Sequence, residues 1–289
     1  MTEVPPARPP VRFARELTAL VFVPPAVWLV GWAPPLVFDS AIAIISVLAL
    51  YEFLALGTKK GYDIPVILCL LISLFITAAF VLPTVSVEMG MFASLLVIPA
   101  TYVFRTKGKI EDALPSSAIA VFGTMYVGML AGSMIRLRND FPHPEGPNLV
   151  FFLVLVVWLG DAGAYYTGKK FGRRRLAPRI SPKKTVEGLI GGIIMSVITA
   201  IVIHFTFFRE FPLLHAIAMG IVLSISGIIG DLAESMWKRS AAVKDSGNLI
   251  PGHGGFLDRF DSIFFTAPIL YVYWAIVQHG AQSLNIIQG

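Results

Sequence analysis

LVFFLVLVVWLGDAGAYYT, residues 149–167, decides the fold. Its first eleven residues are all apolar, and its only charge is Asp161. A helix rises 1.5 Å per residue, so crossing a hydrocarbon core about 30 Å thick takes about 20 such residues. Outward from this stretch the pattern repeats. Apolar segments fall at 18–33, 36–56, 64–82, 87–104, 114–135, 149–167, 186–208, 213–234 and 262–278, with 64–82, 149–167 and 186–208 the clearest. Pro24 and Pro25 interrupt the first, and Glu88 lies in the fourth. The expected fold is all-α: a polytopic membrane protein of about nine transmembrane helices.

Composition agrees. Hydrophobic residues make up 56% of the 289 and charged residues 14%, against about 25% charged in soluble domains. Mean hydropathy is +0.75. Too few polar residues remain to coat a soluble globule of this size. The single cysteine, Cys69, lies in an apolar run, which excludes a disulfide framework and a cysteine-based metal site. Residues 1–16, MTEVPPARPPVRFARE, read as a cytosolic tail rather than a cleaved signal peptide. The apolar run behind them is broken by proline, and no small-x-small cleavage site follows closely.

The net charge of +5 points to membrane topology rather than to nucleic acid. With nine spans and a cytosolic N-terminus, 20 of the 23 Lys and Arg fall on the cytosolic side. Only Arg136, Arg138 and Arg209 fall outside. The positive-inside rule predicts such a bias, so the N-terminus is expected in the cytosol and the C-terminus outside. The expected organisation is a tail at 1–17, a scaffold of about five helices at 18–138, and a working region at 149–278 with cytosolic loops at 168–185 and 235–261. The acids Asp161, Glu187, Asp231, Glu234, Asp245, Asp258 and Asp261 gather in that last region. Charges at membrane depth are expensive and by default mark function.

Three constellations carry chemistry. In GDAGAYYTGKKFG (160–172), Asp161 and Tyr165 share a helix face. The acid is either a ligand-binding group or simply hydrogen-bonded to Tyr165 or a neighbouring helix. In RISPKKTVEG (179–188), Ser181 and Pro182 read as N-cap and first residue of a helix. Lys183 and Lys184 would then stand at a helix N-terminus, suited to phosphate or to anchoring on anionic lipid. The third, GDLAESMWKRSAAVKDSGNLIPGHGGFLDRFD, spans 230–261. Asp231, Glu234, Ser235 and Lys238, at i, i+3, i+4 and i+7, project from one helical face. The turn 251–255, with His253, Gly254 and Gly255, can present backbone N–H groups to an anion. Asp258 and Asp261 share a face at the next span. Carboxylates beside cations, around a glycine turn, suit a Mg²⁺–polyphosphate complex. The alternative is an Asp258 N-cap and a surface Glu234–Lys238 pair.

This third stretch resembles the signature of the phosphatidate cytidylyltransferases, also called CDP-diacylglycerol synthases. The residues carrying the likeness are Ser235, Lys238-Arg239, Lys244-Asp245, His253-Gly254-Gly255, Asp258-Arg259 and Asp261. Gly230-Asp231 and the run Ser181, Pro182, Lys183, Lys184, Thr185 are similar to the family's upstream motifs. The likeness is strong over 160–261. It implies transfer of CMP from CTP to phosphatidic acid, giving CDP-diacylglycerol and pyrophosphate for phospholipid synthesis. It implies Mg²⁺ on Asp231 and Asp258, with Asp161, Asp245 and Asp261 as further candidates and room for a second cation. Lys184, Lys238, Arg239 and Arg259 are the expected catalytic cations. Ser181, Lys183, Lys184, Thr185, Ser235, Lys244, His253, Gly254 and Gly255 are the expected substrate contacts. A nine-helix homodimer in the bacterial cytoplasmic membrane, its site facing the cytosol, completes the expectation. The rivals are a CTP-dependent polyprenol-type kinase and, further off, a transporter.

Overall fold

The computed structural model describes residues 23–104, 109–247 and 255–288, with side chains to residue 278. Nine helices lie among them. They are α1 (residues 23–31), α2 (Pro35–Lys59), α3 (Val66–Ala79), α4 (Val87–Phe104), α5 (Ala113–Asn139), α6 (Glu145–Phe171), α7 (Val186–Thr206), α8 (Leu213–Ser240) and α9 (Leu257–Gln288). The only strands among the described residues are β1 (Arg175–Ala177) and β2 (Ser181–Thr185). Seven of the helices are long and apolar enough to cross a membrane, so the chain is an all-α polytopic membrane protein.

The segment at 64–82, among the clearest in the sequence, gives a shorter helix than its hydropathy suggested. Pro65 caps α3 and the helix ends at Ala79, four residues before Pro83. Fourteen residues span about 21 Å, well short of a hydrocarbon core.

Helix α7 shows why these sequences pack as they do. Gly188, Gly192, Ser196, Thr199, Ala200 and Ile203 are buried, whereas Ile190, Ile194, Ile198, Val202 and Phe205 are about half exposed. Small residues face the protein and large apolar ones face outward, the pattern of a helix surrounded by lipid. The small face lets backbones approach closely. A Cβ on Gly160 of α6 would stand 2.2 Å from Ser196 Oγ, and one on Gly191 2.2 Å from Thr167 Oγ1. Helix α7 thus lies between α6 and α8, while α5 packs against α2, α3, α4, α6 and α9. This places the C-terminal end of α8 beside the N-terminal ends of α7 and α9.

Candidate active site

The hairpin after α6 brings the first lysine in. Arg175 pairs with Thr185 and Ala177 with Ser181. Glu187, in the first turn of α7, accepts from the backbone N–H of Arg173 at 2.9 Å and of Arg174 at 3.2 Å. Thr185 Oγ1 accepts from Gly188 N–H at 3.1 Å, so Thr185, and not Ser181, is the N-cap. The reading of Ser181-Pro182 as a helix start is therefore corrected. Residues Ser181–Thr185 form β2, and Lys183 and Lys184 are strand residues. A two-stranded ribbon tolerates Pro182 because edge strands need not use every N–H. Strand alternation then separates the two lysines. Lys183 is exposed, whereas Lys184 is half-buried and its Nζ pairs with the Asp231 carboxylate.

Asp231 opens the polar face of α8. Ser235 Oγ donates to Asp231 Oδ1 at 3.3 Å. One turn on, Lys238 Nζ lies 3.3 Å from Glu234 Oε1 and pairs with Asp258 across the gap to α9. Glu234 is 1% exposed and Lys238 8%, so this is a buried ion pair and not the surface pair considered as an alternative. Asp258 lies inside the first turn of α9 and is not its cap. Its Oδ2 accepts from Ser246 N–H, Ser246 Oγ–H and Gly255 N–H, each at 3.0 Å. Asp261, a turn further, faces Glu234 and accepts from Ser262 N–H at 2.6 Å. Asp161 stands within electrostatic reach of Asp231, Lys184 and Asp261.

Residues 161, 184, 231–238 and 258–261, from four separated stretches, are thus neighbours. Five carboxylates (Asp161, Asp231, Glu234, Asp258, Asp261) meet two ammonium groups (Lys184, Lys238). No three metal-ligating side chains converge among the described residues; Asp231 and Asp258 each hold a lysine instead. The donors still suit a hard cation. All are carboxylate oxygens, and among the described residues Glu234 Oε2 is buried without a hydrogen-bond donor.

Other expected residues stand further out. Arg239 donates from Nε to Ile180 O at 3.3 Å and from Nη1 to Val243 O at 3.1 Å, tying the end of α8 to the hairpin. Lys244 and Asp245 are exposed, and among the described residues their side chains make no hydrogen bond or ion pair. Arg259 is exposed on the first turn of α9, and Ser181 is half-buried in β2. Tyr165 is 61% exposed, stacks edge-on with Tyr166 at 5.3 Å, and does not bond Asp161. His253 and Gly254 lie outside the described residues.

Two residues escaped the sequence reading. Ser246 bridges Asp258 to Glu52, and Glu52 is a buried acid on α2, outside the expected working region. A signal existed for the second: Glu52 is a charge inside an apolar run, between Tyr51 and Phe53.

Against known proteins, the profile of the cytidylyltransferase family matches residues 13–277. The chain is similar to the phosphatidate cytidylyltransferase of Bacillus subtilis (strain 168), 34% identical over 270 residues that cover 90% of this chain and 95% of that protein. It is similar also to the phosphatidate cytidylyltransferases of Staphylococcus haemolyticus and Staphylococcus saprophyticus, at 35% and 36% identity over 266 residues, 89% of this chain and 97% of each. The chain belongs to the cytidylyltransferase family.

Proposed function

We propose that this protein transfers CMP from CTP to phosphatidic acid, forming CDP-diacylglycerol and pyrophosphate. The observation carrying this reading is the pair of lysine–carboxylate contacts, Lys184–Asp231 and Lys238–Asp258, side by side at one end of the bundle. A phosphate monoester has a second pKa of about 6, so the lipid phosphate arrives largely ionised and needs no strong base. Its oxygen attacks the α-phosphorus, and the bond to pyrophosphate breaks. The task left to the protein is to hold two anions together and neutralise charge on the leaving group. Lys184 and Lys238 supply that charge from the helix-and-hairpin frame, with Arg239 and Arg259 at the rim. Exposed Lys183 and Lys244 fit the periphery, where an incoming triphosphate first meets the protein.

Asp231 and Asp258 are the residues proposed to hold Mg²⁺, with Asp161 and Asp261 nearby. Mg²⁺ favours one or two carboxylates plus substrate phosphate oxygens over an all-protein cage, so two aspartates suit a cation shared with CTP. When bound, Mg²⁺ neutralises and orients the phosphates. The bundle end carrying Lys59, Lys60 and the hairpin arginines is proposed to face the cytosol, where CTP is found. A homodimer in a bacterial cytoplasmic membrane completes the proposal.

The test is purified protein in detergent with labelled CTP, Mg²⁺ and phosphatidic acid. CDP-diacylglycerol should form, and Asp231→Asn and Asp258→Asn should each abolish it while the protein still folds. A variant keeping more than about a tenth of the wild-type rate, a loss below about 1.4 kcal/mol, would remove that aspartate from the site.

A further inference from the structure

Two carboxylates meet one serine hydroxyl at the entry to α9. Ser246 Oγ lies 2.8 Å from Glu52 Oε2 and 3.0 Å from Asp258 Oδ2, and a hydroxyl proton serves one acceptor at a time. Glu52 Oε2 also accepts from Leu257 N–H at 2.9 Å. Both Ser246 and Leu257 are thus tied to a side chain on α2 that is 2% exposed. The approach depends on glycine. A Cβ on Gly247 would stand 2.3 Å from Glu52 Oε1, and one on Gly255 2.2 Å from Glu52 Oε2. The neighbouring Phe53 ring meets Trp237 of α8 edge-on at 5.3 Å, which fixes this end of α2 to the helix carrying Lys238.

Packing alone does not account for an acid here. A buried carboxylate is costly unless donors compensate it, and an apolar side chain would fill the space at less expense. Among the described residues, the hydrogen bonds that Glu52 accepts come only from Ser246 and Leu257, on either side of the segment that leads into α9. What it contributes is the location of that entry, and Asp258 is the next residue after Leu257.

We infer that Glu52 is a positioning residue that sets Asp258 against Lys238 by holding Ser246 and Leu257, an inference that rests on the cytidylyltransferase reading of the site. Only Oε2 accepts these bonds; Oε1 accepts none among the described residues. The role is therefore that of an acceptor at one point in space, and glutamine with its carbonyl there preserves both contacts. Aspartate, one methylene shorter, withdraws the acceptor by about 1.5 Å. Alanine orphans the Leu257 N–H and leaves the Ser246 hydroxyl with Asp258 as its one acceptor.

Wild type, Glu52→Gln, Glu52→Asp and Glu52→Ala, purified in detergent, decide it through two measurements: Mn²⁺ affinity by electron paramagnetic resonance, and kcat and KM for both substrates. Glu52→Asp and Glu52→Ala should weaken Mn²⁺ binding at least fivefold and lower kcat at least tenfold, with KM for phosphatidic acid within twofold. Glu52→Gln should stay within threefold of wild type in every quantity. Should Glu52→Ala not fold, Ser246→Ala removes the bridge without touching a charge and should show the same losses. Unchanged Mn²⁺ affinity and kcat in the folded fraction of these variants would make Glu52 a packing residue and overturn the inference. So would a Glu52→Gln variant as impaired as Glu52→Ala. A wild type that binds Mn²⁺ but forms no CDP-diacylglycerol would instead refute the activity, and the Mn²⁺ series would still decide the role of Glu52.

Discussion

Lys238 stands between two acids, Glu234 at 3.3 Å and Asp258, with its own side chain only 10% exposed. Lys184 and Asp231 form the same kind of pair in a wetter place, their side chains 26% and 32% exposed. The two lysines should therefore separate when removed. Lys238→Met leaves two buried carboxylates unpaired, a loss of about 3–5 kcal/mol, and should lower both turnover and thermal stability. Lys184→Met should abolish turnover with a much smaller change in stability, because water reaches the acid it leaves behind. Thermal denaturation in detergent beside the activity assay checks both, and equal stability losses would contradict the burial argument. The α8 face was legible because i, i+3, i+4, i+7 is a local pattern that one helix turns into a surface. The tie of Glu52 to the site was not, because its partner Ser246 is 194 positions away, and no spacing rule joins them.

Among the elements, α6 and α7 set the distance between Asp161 and the hairpin lysine. Their contact leaves no room for a methyl group at Gly160, where Ser196 Oγ would lie 2.2 Å away but Ser196 Cβ 3.6 Å. Gly160→Ala should destabilise the protein by about 1–3 kcal/mol, the usual cost of overpacking. Adding Ser196→Ala removes the clashing oxygen and should restore most of that loss. Melting temperatures of the two single variants and the double variant test this, and additive losses would refute the close contact. The helices themselves were legible from apolar runs, including the one that opens at Val186. The hairpin was not. Ser181-Pro182 carries the marks of a helix start, and only the real cap four residues later, Thr185 on Gly188 N–H, shows that the chain is still extended there. The segment of α3 was read correctly, but its shortness was missed for a related reason, since hydropathy averages over the prolines that bound it.

Across the whole molecule, charge and lipid-facing surface divide the bundle into two ends. The hairpin, Lys59 and Lys60 lie at one end; Arg209 and Glu210 lie in the α7–α8 connection at the other. The proposed orientation can be read with single cysteines in a Cys69→Ser background, since Cys69 is fully buried. Glu210→Cys and Lys60→Cys both replace exposed residues. A membrane-impermeant thiol reagent should label the first in intact cells and the second only after the membrane is opened; the reverse order would invert the topology. The family was legible from 230–261, whereas the expected contribution of each residue was not: Lys244 and Asp245 are part of the signature yet stand apart from the ion pairs.

Which phosphorus of CTP is attacked tests the account most directly, because it separates CMP transfer from phosphorylation of a lipid alcohol by the same bundle. CTP labelled on the α-phosphate, and separately on the γ-phosphate, is incubated with the purified protein, Mg²⁺ and phosphatidic acid, and the lipid and aqueous fractions are counted. The account predicts α-label in the lipid and γ-label in free pyrophosphate, with the reaction reversing when pyrophosphate is added to labelled product. Label from the γ-phosphate in the lipid, with CDP released, would contradict it.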